Sequence, residues 1–159
     1  MNVSAQGNPS IINMSEHSNV TDMSTYERML FLKNTELFAS FDKTHIEEIA
    51  WLVTERRYAG GDWLCHEGDE GHELFVICEG RVAVVKNIDG KHKTVYTAKP
   101  GEVLGEISVL GHIPRTAGLR AKGDVLVLTI KAPHFIRLLR ENPDMSLAII
   151  ELLVHRLAA

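Results

Sequence analysis

The segment from Gly101 to Ala117 can hold a small anion, because it combines glycines, a carboxylate and a guanidinium at short range. Gly105 lets the backbone approach a ligand closely, since glycine has no Cβ. Residues 106–110 can close one helical turn, whose first N–H groups have no internal partner and attract phosphate. Arg115 adds a permanent planar cation that can pair with two phosphate oxygens at once. The pattern therefore predicts an anion site made of main-chain donors and Arg115.

Glu106 lies inside this predicted anion site and would repel a phosphate unless the ligand also offers a hydrogen-bond donor. A cyclic mononucleotide meets both conditions, because its ribose keeps one free hydroxyl that can donate to a carboxylate. The alternative for Arg115 is a structural ion pair with Glu106 or with another carboxylate. Ser108 is not predicted to be a nucleophile, since no Gly-x-Ser-x-Gly sequence surrounds it, and its expected contribution is small size and a backbone donor.

Residues 104–117 resemble the phosphate-binding cassette of the cyclic nucleotide-binding domain family. That family includes regulatory domains of cyclic-nucleotide-dependent kinases, gated ion channels and bacterial regulators of the catabolite activator type. Its pattern has Phe-Gly-Glu, a short apolar run, Pro-Arg, a small or hydroxyl residue, and Ala. Leu104 replaces the aromatic residue here, and the matching positions are Gly105, Glu106, Ser108, Leu110, Pro114, Arg115, Thr116 and Ala117. The resemblance covers about residues 25–159 and includes Glu67-Gly68-Asp69 and Leu74-Phe75-Val76-Ile77.

This resemblance implies a mainly β fold with flanking helices, an eight-stranded antiparallel β-sandwich (a jelly roll). It also implies a regulatory domain that is not an enzyme, with cAMP or cGMP as its ligand and no metal. Members of this family with a threonine after the arginine, as at Thr116, also tolerate guanine. The predicted ligand is therefore cAMP before cGMP, and cGMP is not excluded. The implied ligand contacts are Leu104, Gly105, Glu106, Ile107, Ser108, Arg115, Thr116 and Ala117.

Three further residues are expected at the base end of the ligand. Tyr96 and Ala98 would face the base if the resemblance holds, and the alternative for both is an ordinary place in the core. Arg156 lies in the last predicted helix, where some channel members of the family place an arginine over the base. The alternative for Arg156 is a solvated cation favoured by the helix dipole. The resemblance implies that the final helices fold over the base and that their movement signals to a downstream effector domain or protein.

The elements that must position these residues follow from the periodicity of the chain. Residues 1–23 show no period and are predicted to be a disordered leader to a domain over 24–159. Two helices are predicted within 24–54, each opened by a capping box, Ser24-Thr25-Tyr26-Glu27 and Thr44-His45-Ile46-Glu47. Short strands separated by glycine turns follow over 55–131 and predict a small β-sandwich or barrel. Two helices separated by Asn142-Pro143 are predicted over 132–159.

The composition is that of a globular domain, with 45% apolar and 24% charged residues among 159. The net charge is −4 and no basic face stands out, so nucleic acid is not an expected partner. No apolar run is long enough to span a bilayer, and the amino terminus has no secretory signal pattern. Cys65 and Cys78 are expected to be reduced thiols. These features predict a cytoplasmic protein without direct membrane insertion.

Alternative functions remain open at this stage. A vestigial domain of the same fold could serve as a protein interaction module, since Leu104 and Gly118 depart from the family pattern. A transcription regulator truncated before its DNA-binding part would also show this sequence. A metal-dependent jelly-roll enzyme would need a His-x-His pair followed by a glutamate, and none of the eight histidines forms such a pair.

Overall fold

Residues 22–158 are described by a computed structural model, in which helices flank an antiparallel sheet. Two helices come first, α1 (Thr25–Lys33) and α2 (Lys43–Leu52). The strands are β1 (Thr54–Tyr58), β2 (Trp63–Cys65), β3 (Glu73–Ile88), β4 (Lys91–Ala98), β5 (Val103–Leu104) and β6 (Gly118–Lys131). Helix α3 (Glu106–Gly111) lies between β5 and β6, and α4 (Ala132–Glu141) and α5 (Pro143–Ala158) follow β6.

The sheet has the strand order β1-β6-β3-β4, with β2 paired to β6 and β5 paired to β3. Every pairing is antiparallel, so the predicted mainly β architecture with flanking helices is confirmed. Six strands are present in the described residues where eight were predicted, because β3 and β6 are each continuous where the sequence indicates two shorter strands. At Glu79-Gly80 the register of β3 shifts instead of reversing. A Cβ on Gly80 would lie 2.2 Å from the Asp124 carbonyl oxygen, which explains the glycine at this irregularity.

The two predicted capping boxes have different outcomes. The first is confirmed, because the Ser24 hydroxyl accepts from the Glu27 N–H (3.1 Å) and the Glu27 carboxylate accepts from the Ser24 N–H (3.2 Å). The second is wrong, because α2 begins at Lys43 and its N-cap is Asp42, whose carboxylate accepts from the His45 N–H at 2.9 Å. An aspartate is at least as good an N-cap as a threonine, and here it lies two residues earlier.

Two apolar cores lie on opposite faces of the long strands. Because successive side chains of a strand point to opposite faces, Leu74 and Val76 enter one core while Phe75 and Ile77 enter the other. The first core joins the helices to the sheet and includes Leu32, Phe38, Ile49, Leu128, Phe135, Leu138 and Ile149. The second lies within the sandwich and includes Val82, Ala98, Leu119, Ala121, Val125 and Val127.

The predicted leader lies outside the described residues, except for its last two positions. Met23 was placed in that leader, but it is buried in the first core and its N–H donates to the Glu55 carboxylate at 2.6 Å. The packed part of the domain therefore includes Met23, which precedes the first helix. Within residues 22–158, no helix is both long and apolar enough to cross a membrane.

Candidate functional site

A cavity of about 500 Å³ opens at the end of the second core, a volume within the range of small-molecule sites. The eight predicted ligand contacts of the cassette all line it, and so do Tyr96 and Arg156. Ala98 does not line it, because it is paired with Val82 and is completely buried in the second core. The full lining is Glu36, Cys65, Val84, Tyr96, Glu102, Val103, Leu104, Gly105, Glu106, Ile107, Ser108, Arg115, Thr116, Ala117, Leu119 and Arg156.

Gly105 connects β5 to α3 and lies directly against Arg115. Its backbone is left-handed, with φ of +92°, so an L side chain at this position would be strained. A Cβ on Gly105 would lie 2.6 Å from Arg115 Nη1 and 3.0 Å from the Glu73 carbonyl oxygen. The predicted turn over 106–110 is confirmed as the short helix Glu106–Gly111. Glycine is therefore required here by the backbone angle and by the packing of the guanidinium.

Arg115 is buried, with only 6% of its surface exposed. Its Nη1 donates to the Ser108 hydroxyl (2.8 Å) and to the Gly105 carbonyl (3.3 Å), and its Nη2 donates to the Glu73 carbonyl at 2.7 Å. The guanidinium carbon also lies 5.2 Å from the centre of the Phe75 ring. Among residues 22–158 no carboxylate is within ion-pair distance of Arg115, so the alternative of a structural ion pair is not what the structure shows.

The hydrogen-bonding capacity of Arg115 is not used up by these contacts. A guanidinium carries five N–H donors, and three are engaged by Ser108, Gly105 and Glu73. The Nε–H is buried and has no partner within the described part of the chain. That donor and the second N–H of Nη2 are left over, which is enough for two oxygens of one anion. A buried cation without a counter-charge is costly, and an anion in the cavity would relieve that cost.

Glu106 is also buried, and it pairs with Arg156 rather than with Arg115. Its Oε1 accepts from Arg156 Nη1 at 2.6 Å, while Arg156 Nη2 contacts the Glu36 carboxylate. Burial raises the pKa of the Glu106 carboxyl above its usual value, although the nearby Arg156 charge opposes that shift. Arg156 therefore ties α5 to the cassette and to the segment between α1 and α2. It is not the solvated helix-end cation that was the alternative prediction.

The lining residues that were not predicted from the sequence are Glu36, Cys65, Val84, Glu102, Val103 and Leu119. Glu36 and Arg156 are 120 positions apart, and only the folded chain brings them together. Tyr96 donates a short hydrogen bond to Glu102, and this bond raises the pKa of the Tyr96 hydroxyl. Val84 could have been found, since it pairs with Tyr96 across β3 and β4. Cys65 lines the cavity through the pairing of β2 with β6, which shifts register between Trp63 and Cys65.

The departure of Gly118 from the family pattern has a local structural cause. A Cβ at this position would lie 2.8 Å from the Trp63 ring, so the ring packs directly on the glycine backbone. Gly71 serves the site in a similar way, since a Cβ there would lie 2.3 Å from the Ser108 hydroxyl. The described residues contain no group of three or more His, Cys, Asp or Glu side chains placed to hold a metal ion.

The antiparallel fold, the buried Arg115 without a carboxylate partner in residues 22–158, and the cavity beside Gly105 form a site that can hold an anion. The family pattern described as the cyclic nucleotide-binding domain matches residues 55–142, more than half of the chain. The chain belongs to that family.

Known relatives span several kinds of protein. The chain is 31% identical over 109 residues to a cAMP-dependent protein kinase regulatory subunit of Hypocrea atroviridis, covering 69% of this chain and 23% of that protein. It is 31% identical over 112 residues to the cGMP-dependent protein kinase egl-4 of Caenorhabditis briggsae, covering 69% and 15%. The chain therefore spans less than a quarter of either relative.

A solved structure with similar fold is the amino-terminal domain of a transcriptional regulator from Streptomyces coelicolor A3(2). It is 31% identical, with a TM-score of 0.69, and the match covers 80% of this chain and 92% of that one.

Proposed function

We propose that this chain is a regulatory domain that binds a cyclic mononucleotide in the cavity and is not an enzyme. The observation that carries the proposal is Arg115, a buried guanidinium with two unpaired donors at a cavity of about 500 Å³. A cyclic phosphodiester carries a single negative charge and matches this single cation. The absence of an apolar spanning helix in residues 22–158 is compatible with the cytoplasmic location that we propose.

The proposed binding mode assigns a separate contact to each part of the ligand. The two free donors of Arg115 hold the phosphate oxygens, together with main-chain N–H groups at the start of α3 and near Ala117. The Glu106 carboxylate accepts the hydrogen bond of the ribose hydroxyl. The base then lies toward Tyr96 and Leu104, which line the cavity together with Arg156.

We propose cAMP as the preferred ligand, with cGMP as the alternative. Thr116 lines the cavity, and its hydroxyl can donate to the phosphate or contact a guanine amino group. The relatives include a cAMP-dependent and a cGMP-dependent kinase at equal identity, so they do not separate the two ligands. Titration of the same protein with both nucleotides decides between them.

Nucleotide addition should raise the melting temperature of the full chain. A ligand at about 100 times its Kd that binds only the folded state adds ~2.7 kcal/mol to the free energy of unfolding. For a domain of this size, this corresponds to roughly 5–11 °C in a thermal unfolding scan. Unmodified AMP, which has an open and doubly charged phosphate, is the matched control. If neither cAMP nor cGMP at millimolar concentration shifts the transition, the chain is better explained as a vestigial interaction module.

We further propose that α5 reports binding by changing its contacts. Glu106 is held by Arg156 at 2.6 Å, and the ribose hydroxyl would need the same carboxylate. Binding would therefore place the ribose hydroxyl beside the Glu106–Arg156 pair and let α5 settle over the base, where a downstream effector domain or protein can detect it.

Amide hydrogen exchange over Pro143–Ala158 should slow severalfold when nucleotide is added, because a docked helix opens less often. In an Arg156→Ala variant this protection should be smaller, while nucleotide still binds through Arg115. Arg140→Ala removes an exposed cation of α4 and serves as the control. Equal exchange of α5 with and without bound nucleotide contradicts the proposed movement.

A further inference from the structure

A free thiol lines the same cavity as Arg115. Cys65 is the last residue of β2, is partly exposed, and is paired with Leu119, another lining residue. The other cysteine, Cys78, is buried in the first core, and burial raises the pKa of its thiol to about 12. The two thiols therefore differ in access to small molecules. Only Cys65 of this pair lines the cavity.

The cavity also carries an independent sign that it receives an anionic molecule. Arg115 is 94% buried, as its exposed fraction of 6% shows, and it lines the cavity. Its Nε–H has no hydrogen-bond partner in residues 22–158. An anion that enters the cavity to bind Arg115 also comes into the space that Cys65 lines. The thiol and the guanidinium thus share one binding space.

This inference rests on the nucleotide site proposed above. We propose that Cys65 is a modification site for low-molecular-weight disulfides of the glutathione class, and that the mixed disulfide and the cyclic nucleotide exclude each other. Glutathione carries carboxylates that the two unpaired donors of Arg115 can bind, and its tripeptide body would fill the cavity. Oxidation by a small disulfide would then switch off the sensor without unfolding it.

The reaction is a thiol–disulfide exchange. The Cys65 thiolate attacks one sulfur of glutathione disulfide, so that a new S–S bond forms as the original S–S bond breaks. Cys65 and one glutathione remain joined in the mixed disulfide, and the departing glutathione thiolate takes up the proton that Cys65 lost. Burial raises the pKa of the Cys65 thiol, and the Arg115 charge partly offsets the shift. The exchange is therefore slow, and its rate depends on access to the cavity.

The first experiment treats the full chain with glutathione disulfide and follows the adduct by intact mass and peptide mapping. One glutathione should attach at Cys65, and Cys78 should remain free. With cAMP at about 100 times its Kd, the rate should fall roughly 100-fold, because only the small fraction of unliganded protein can react. An adduct that forms elsewhere, or a rate within about twofold of the nucleotide-free rate, overturns the inference.

The second experiment measures the effect in the other direction, that of the Cys65 adduct on nucleotide affinity. Protein carrying the Cys65 adduct should lose nucleotide affinity at least about tenfold, and dithiothreitol should restore it. A Cys65→Ser variant, compared with its own untreated form, should show no change after the same treatment. If nucleotide shifts the melting temperature but does not protect Cys65, only this inference fails. If no nucleotide shifts it, the proposed function fails and the inference with it.

Discussion

Replacing Arg115 by alanine is expected to weaken cyclic nucleotide binding by ~2–5 kcal/mol, or roughly 30- to 5,000-fold in Kd. The physical reason is that the phosphate would lose its only buried cationic partner in the described cavity and would be left desolvated. Isothermal titration with cAMP and cGMP measures the change directly. A loss below about tenfold, or ~1.4 kcal/mol, contradicts the role proposed for this guanidinium.

Two further variants test whether the charge of Arg115 is sufficient without its shape, and whether removing a cation elsewhere has the same effect. Arg115→Lys keeps the charge but loses the planar fork, so its nucleotide affinity should lie between those of the parent protein and Arg115→Ala. Arg57→Ala removes an exposed cation outside the cavity and should change Kd by less than about twofold. Because Arg115 also donates to Ser108, Gly105 and Glu73, the unfolding curve of each variant has to be measured in parallel. A folded variant that still binds normally would refute the proposal.

The cassette could be predicted from the sequence because its functional residues are close together in the chain. Gly105, Glu106 and Arg115 lie within one short segment, so the local sequence and the family resemblance together place a glycine, a carboxylate and a cation close together. The glycine-bounded helical turn followed from the same local information. The hydrogen-bond partners of Arg115 could not all be predicted in this way. The Glu73 carbonyl that accepts from Arg115 is 42 positions away, in β3.

The contact between Glu36 and Arg156 beside the cavity depends on tertiary packing, which local sequence patterns do not predict. Glu36 and Arg156 lie near opposite ends of the domain sequence. The resemblance singled out Arg156, but nothing in the sequence paired it with Glu36. Their contact depends on how α5 packs after β6, which no periodicity specifies. Ala98 shows the same limit, since the resemblance placed it with Tyr96 at the base but could not distinguish a place in the cavity from one in the core.

The errors in element boundaries also have physical causes. Asp42 and Thr44 are both competent N-caps two residues apart, and local sequence gives no reason for the helix to prefer one. Asp42 captures the His45 N–H, and the helix therefore begins at Lys43. In β3 the pair Glu79-Gly80 has the composition of a turn. The Asp124 carbonyl oxygen of β6 lies where a Cβ on Gly80 would be, so the glycine permits a bulge within a continuing strand.

A methyl group at Gly105 should act on binding almost as strongly as removal of Arg115. In Gly105→Ala the new Cβ would lie 2.6 Å from Arg115 Nη1 and 3.0 Å from the Glu73 carbonyl oxygen, so the guanidinium must move. We expect an affinity loss of roughly 30-fold or more, the lower end of the range for losing a buried charge partner. The left-handed backbone adds a strain of roughly 1–2 kcal/mol to the folded state.

The strain and the displaced guanidinium can be separated with a matched glycine. Gly90 has φ of +80°, and no atom lies within 4 Å of the Cβ that alanine would add. Gly90→Ala should therefore show a similar strain in the free energy of unfolding, without any change in Kd. If Gly105→Ala acts through Arg115, the two changes remove the same contact. Arg115→Ala should then lower the affinity of the Gly105→Ala variant much less than it lowers that of the parent protein. Additive losses in the double variant would show that Gly105 contributes to binding by a route other than the position of this arginine.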